Sequence, residues 1–131
     1  MKFIVLIYND PALNDALPAG RFDSMMRDCI SHADEMKAHG SLLQSQMLEG
    51  PETARSLRIR SGKLTALDGP FAETKEVLGG FNIIEAENME EAEKLALNFP
   101  WSQTGCVEIR PIRDFESVRQ RVFSTSEASA R

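Results

Sequence analysis

The residues of this chain best equipped for chemistry sit together in Asp68-Gly69-Pro70-Phe71-Ala72-Glu73-Thr74-Lys75-Glu76. Asp68 can accept hydrogen bonds from backbone N–H groups or hold a cation. Glu73 and Glu76 can act as acids or bases when partly buried. Lys75 can hold an anion, and the Thr74 hydroxyl both donates and accepts. Gly79-Gly80 follow, giving the backbone room for a close approach. The same residue types also make an ordinary solvated turn, because Asp-Gly is turn chemistry and Pro70 fixes the exit direction.

Outside this stretch the candidates are scattered. His32 falls at the edge of a helical apolar stripe, where a histidine can line a cavity and exchange a proton. His39 shares that edge but sits at the helix end, where capping is the simpler role. Tyr8 ends a strand and could present its phenol to a pocket, or pack. Trp101 follows Pro100 and could line a ligand site or close the core. Cys29 and Cys106 are distant in sequence and form no CxxC, so they read as small buried hydrophobes rather than a disulfide or zinc site. No cluster of His, Cys, Asp and Glu has metal-ligand spacing. There is no P-loop, GxGxxG or GxSxG. No metal site is expected from these residues.

The elements that must position these residues follow from periodicity. Residues 2–8, KFIVLIY, are β-branched, aromatic and apolar on both alternating faces, as in a central strand. "NDPALNDALPAG" is turn-rich, with room for one short helical turn. The spacing of Phe22, Met25, Met26, Cys29, Ala33 and Met36 predicts a helix over 21–39, with Gly40 as its C′ residue. Residues 41–48 read as a strand, broken by Glu-Gly-Pro-Glu. A hairpin follows with Ser61-Gly62 as its turn, pairing Ile59 with Leu64 and Leu57 with Ala66. Arg58, Arg60, Lys63 and Thr65 then share the other face, which must be solvated or meet acids from a partner. Residues 78–85 form a strand opening on the glycine pair. Asn88 and Glu91 make a capping-box-like pair at the start of a second helix that Pro100 stops. Residues 106–112 read as the last core strand, with Pro111 near a sheet edge. Asp114 caps a short amphipathic arm ending near 123, and the small polar residues 124–131 read as a disordered tail.

With the hairpin set aside, the order is βαββαβ: an α+β, ferredoxin-like split with both helices on one face of an antiparallel sheet. The length of 131 residues suits one domain with its own core. A net charge of −5 without a dense basic patch disfavours direct nucleic-acid binding. The apolar run at the N-terminus is too short for a signal segment or a membrane span, so a cytoplasmic location is expected. Apolar residues on the sheet face away from the helices call for a cover, and a second copy of the chain supplies one.

"DGPFAETKE" followed by "LGGF", with "MKFIVLIY", "LRIRSG" and "VEIRPI" in order, resembles the signature of the DGPF proteins within the YCII-related superfamily. The resemblance covers residues 1–112. It implies a dimeric α/β barrel of ferredoxin-like subunits, a small cavity beside the sheet and no obligatory cofactor. It also implies a mostly uncharacterised function, with bacterial relatives often associated with extracytoplasmic-function sigma factors. Enzymatic relatives look as if they pair a histidine on the first helix with an aspartate. Aligning that helix at Gly40 puts the family's histidine near Cys29 rather than at His32.

Three readings follow. The first is a homodimeric small-molecule-binding protein, its pocket lined by Tyr8, Asp68, Glu73, Thr74 and Lys75 and open to a small anionic or aromatic ligand. The second is a lyase- or dehalogenase-like enzyme with His32 as general acid/base, Asp68 orienting it and Lys75 holding an anionic substrate. The third is an interaction module acting with a sigma factor.

Overall fold

A computed structural model of the protein describes residues 1–70 and 74–130. Strand β1, Lys2–Asn9, runs through the middle of a four-stranded antiparallel sheet. Its alternation divides the molecule. Phe3, Val5 and Ile7 are buried in the core, while Ile4, Leu6 and Tyr8 are half-buried on the opposite face. Asp10 ends the strand and caps the short helix α1, Pro11–Asp15, by accepting the Ala12 N–H at 3.0 Å. Pro11 stands at the first helical position, where its missing N–H costs nothing.

Helix α2, Arg21–Ala38, lays Met25, Met26, Cys29, Ala33 and Met36 on the core. It closes as its sequence predicts. Gly40 takes a positive φ of 80°, Ser41 N–H bonds Met36 C=O at 2.9 Å, and Gly40 N–H bonds Lys37 C=O at 3.1 Å. The chain then enters β2, Leu42–Met47, the edge of the sheet beside β5.

The hairpin of β3, Arg55–Arg60, and β4, Lys63–Asp68, forms a separate two-stranded sheet. Its register is the expected one, with Ile59 opposite Leu64 and Leu57 opposite Ala66. Ser61 and Gly62 both adopt positive φ, the geometry whose twist matches the flanking strands. The apolar face of this hairpin is exposed among the described residues, Leu57 at 65%.

Strand β5, Val77–Glu85, lies between β1 and β2. Helix α3, Met89–Ala96, begins at Asn88, whose side chain accepts the Glu91 N–H at 2.9 Å. The Glu91 carboxylate reaches back to the Glu87 N–H, one residue before the cap, so the reciprocal bond is displaced from the ideal box. A short 3₁₀ turn over Pro100–Gln103 buries Trp101, and β6, Gly105–Pro111, completes the order β2-β5-β1-β6. This is the βαββαβ arrangement, with α2 and α3 packed on one face. Helix α4 is Phe115–Ala130. It continues past residue 123, where the sequence reading ended the arm and began a disordered tail. Residues 124–130 hold no glycine or proline to stop it and include good helix formers. No helix among the described residues is long and apolar enough to cross a membrane.

Candidate functional site

A cavity of about 440 Å³ opens between α2 and the β2–β5 side of the sheet, a size suited to a small ligand. Phe22, Met26, Cys29, Ile30 and Ala33 of α2 form one wall. Residues of β2 and β5 form the other, and Trp101 closes one end. Phe22 and Trp101 stand with ring centroids 5.7 Å apart at a tilted angle, joining helix to floor. Trp101 donates its indole N–H to Cys29 Sγ at 3.3 Å. Burial pushes the Cys29 thiol up from its usual range, and the Trp101 N–H on the sulfur partly offsets that. Cys29 is therefore a neutral, apolar part of the wall at physiological pH rather than a poised thiolate.

The glycine pair gives the wall its shape. Between Ile7 and Tyr8 the β1–β5 register slips, leaving Gly79 without a β1 partner, a bulge of the kind that re-aims side chains beside sites. A Cβ on Gly79 would fall 2.0 Å from Asn9 Nδ2, so the Asn9 carboxamide occupies that space. A Cβ on Gly80 would stand 2.7 Å from the Gln46 carbonyl oxygen, so only glycine lets β2 approach this closely.

Polar groups on the wall are few, and two of them lack partners. Asn82 faces the helices from β5 and is only 3% exposed. Among the described residues its Oδ1 has no hydrogen-bond partner, and neither has the buried Oδ1 of Asn14 on α1. Both residues line the cavity. An uncompensated carboxamide in a protein interior costs about 1–3 kcal/mol, so a buried orphan at a cavity wall needs an explanation.

Of the residues singled out from the sequence, Cys29 and Trp101 line this cavity, while Tyr8, Asp68, His32, Thr74 and Lys75 lie outside its lining. Tyr8 is on the opposite face of the sheet, across from Cys106. Asp68 ends β4 with its side chain 87% exposed, paired with Arg55 at 3.4 Å. His32 is half-buried on α2 and outside the cavity lining. Among the described residues no hydrogen bond joins His32 to Asp68, so the pair required by the enzyme reading is not formed here. The physical reason is that β4 belongs to the separate hairpin sheet, whereas α2 packs on the main one. Thr74 turns its hydroxyl onto the Glu76 carbonyl, closing a local turn. Glu73 lies outside the described residues.

Among the described residues of the 68–76 stretch, Lys75 reaches toward the cavity's surroundings. Its ammonium stands 3.6 Å from Asp10 Oδ2, and the Asp10 side chain is only 6% exposed. Asp10 also donates its backbone N–H to the Thr104 carbonyl at 3.0 Å and caps the helix that carries Asn14. Lys75 thus meets Asp10 and lies outside the cavity lining.

Sequence reading missed Asp10, Asn14 and Asn82. A signal for Asn82 was present. Alternation along Gly80, Asn82 and Ile84 places a lone polar residue on the core face of an apolar strand. The Asp-Pro pair likewise announces a helix start at Asp10.

The fold and the cavity define a class: an α+β, ferredoxin-like domain with a ligand-sized cavity between its first long helix and the sheet. More narrowly, the chain belongs to the YCII-related family, whose model matches residues 1–116. It is 34% identical over 114 residues to an uncharacterised protein of Rhizobium meliloti (strain 1021), covering 86% of this chain and 92% of that one. In three dimensions it is similar to the 5-chloro-2-hydroxyhydroquinone dehydrochlorinase of Burkholderia phenoliruptrix, solved in complex with 2,5-dihydroxybenzoquinone. That likeness has a TM-score of 0.51 at 17% identity, covering 86% of this chain and 94% of the other. At this identity it speaks for the fold.

Proposed function

We propose that the protein is a homodimeric small-molecule-binding protein of the DGPF kind, with its ligand in the cavity between α2 and the β2–β5 edge. The observation that carries the reading is Asn82, a buried carboxamide on the cavity wall whose oxygen has no partner among the described residues. A bound ligand would remove that penalty. The fold neighbour's complex with 2,5-dihydroxybenzoquinone supports a ligand of this size in a domain of this shape.

The dimer rests on the sheet face turned away from the helices. By alternation and register, Ile4 and Leu6 of β1 meet Ile83 and Phe81 of β5 there, all half-buried, with Gln44 and Gln46 on one side and Glu108 and Arg110 on the other. An apolar centre with a polar rim is what a paired sheet face requires.

The chain's single tryptophan lines the cavity, so Trp101 emission reports on its contents. A thermal-shift screen of small molecules, followed by Trp101 emission, should find compounds that raise the melting temperature and shift the emission together. Stabilising compounds that leave Trp101 unmoved would place the ligand elsewhere. Sedimentation velocity should give twice the 14.6 kDa chain mass, and Leu6→Glu should split that species. A wild-type monomer at micromolar concentration would remove the dimer from the proposal.

A further inference from the structure

The cavity wall also specifies what kind of ligand fits it. We infer that the ligand is an uncharged, largely apolar molecule carrying a hydroxyl group, bound with that hydroxyl on the Asn82 carboxamide. This rests on the cavity being the binding site and goes further by excluding charged ligands.

Charge is the first constraint. Glu49 is the one ionisable acid among the described lining residues, and no lysine, arginine or histidine is among them. An anionic ligand would have to leave water without a cation to receive it. Lys75, the cation expected to hold an anion, is paired with Asp10 at 3.6 Å and lies outside the lining. Among the described lining residues a cationic ligand would find only Glu49, which sits exposed just past the end of β2.

Apolar character is the second constraint. Phe22, Met26, Ile30, Val77 and Trp101 give the wall its body. The Cys29 thiol belongs with them, since burial holds it neutral and its sulfur accepts from Trp101.

Hydrogen bonding is the third. Asn82 and Asn14 each keep a buried oxygen without a donor among the described residues. A carboxamide presents an acceptor at one end and two donors at the other. A hydroxyl matches either end, because it donates once and accepts twice. A carboxylate accepts only and cannot satisfy Oδ1; a hydrocarbon satisfies neither end.

Four molecules of one shape separate these terms: 4-methylphenol, toluene, 4-methylbenzoate and 4-methylbenzylamine, titrated calorimetrically into the full-length protein at pH 7. We expect 4-methylphenol to bind at least about tenfold more tightly than each of the other three. In Asn82→Leu the advantage of 4-methylphenol over toluene should vanish while toluene itself still binds. A carboxylate or amine that matches the phenol would overturn the inference and leave the site standing. So would an Asn82→Leu protein that keeps the full preference. Binding of none of the four would overturn both the inference and the site. The wild-type ranking decides the charge question even if the variant folds poorly.

Discussion

Two regions of this molecule offer polar groups for function, and they do so in opposite ways. The stretch from Asp68 to Glu76 is rich in charge, but its described groups are satisfied locally or face water. Asp68 pairs with Arg55, Thr74 closes on Glu76, and Lys75 reaches Asp10. The cavity wall between α2 and β5 is poor in charge, but it holds carboxamide oxygens buried without partners. A charged group in water is already solvated, so its presence says little about binding. A buried orphan is unstable until something completes it, so it points toward a ligand. The proposed site therefore rests on the unmet hydrogen bonds that face the cavity, not on the dense run of reactive side chains.

The largest expected effect tests whether the cavity wall is as tightly built as its geometry says. Gly80→Val should cost about 2–3 kcal/mol, because its Cβ would press on the Gln46 carbonyl oxygen 2.7 Å away. Urea unfolding measures it. An unchanged midpoint would mean that the β2 edge yields freely and the wall is soft.

Next comes the Lys75–Asp10 pair, the link between the two regions among the described residues. Lys75→Ala removes the cation from the Asp10 carboxylate, which stays buried. The ammonium is mostly exposed, so the loss is discounted to about 1–2 kcal/mol rather than the full cost of breaking a buried pair. If unfolding shows no loss, the 68–76 stretch is energetically independent of the site. Asn82→Leu has the opposite sign. Replacing an unpaired carboxamide by an apolar group of similar size should stabilise the empty protein by about 1 kcal/mol. A destabilised Asn82→Leu would show that the carboxamide already serves the fold, and the comparison would lose its sharper half.

A smaller effect concerns the dryness of the wall. Because burial raises the Cys29 pKa, its thiolate fraction at a given pH is smaller than that of a free thiol. In a Cys106→Ser background, iodoacetamide should label Cys29 more slowly than glutathione at pH 8. The rate should keep rising at pH values where the free thiol has levelled off. Superimposable pH profiles would mean that water reaches the sulfur. The smallest effect is Asp68→Ala, which should leave both melting temperature and 4-methylphenol affinity within experimental scatter, since an exposed ion pair contributes little. A clear loss of affinity would return the site to the charged stretch.

Much of the fold was legible before any coordinates, and for local reasons. The αL residue at Gly40, the Ser61-Gly62 turn, the Asn88 cap and the alternation of β1 are encoded within a few residues of where they act. The resemblance carried in "DGPFAETKE" pointed to the YCII-related family. It drew attention to Asp68, which the hairpin holds in a sheet apart from the helices. His32 was legible as a boundary residue, but one position around a helix decides between lining a cavity and flanking it. Neighbouring positions differ by about 100°, and chain periodicity does not resolve that.

The sequence by itself determined the α+β order of elements, the hairpin register and the end of α2, because backbone preferences and hydrophobic period act over short range. Tertiary structure alone decided which polar groups would be stranded. Asn82 is an unremarkable residue in a strand until α2 closes over that face. Asp10 is an ordinary helix cap until the Lys75 ammonium is brought to 3.6 Å from it across the fold. Burial is a property of the assembled layers, and it converts a common carboxamide into the most informative atom of the site.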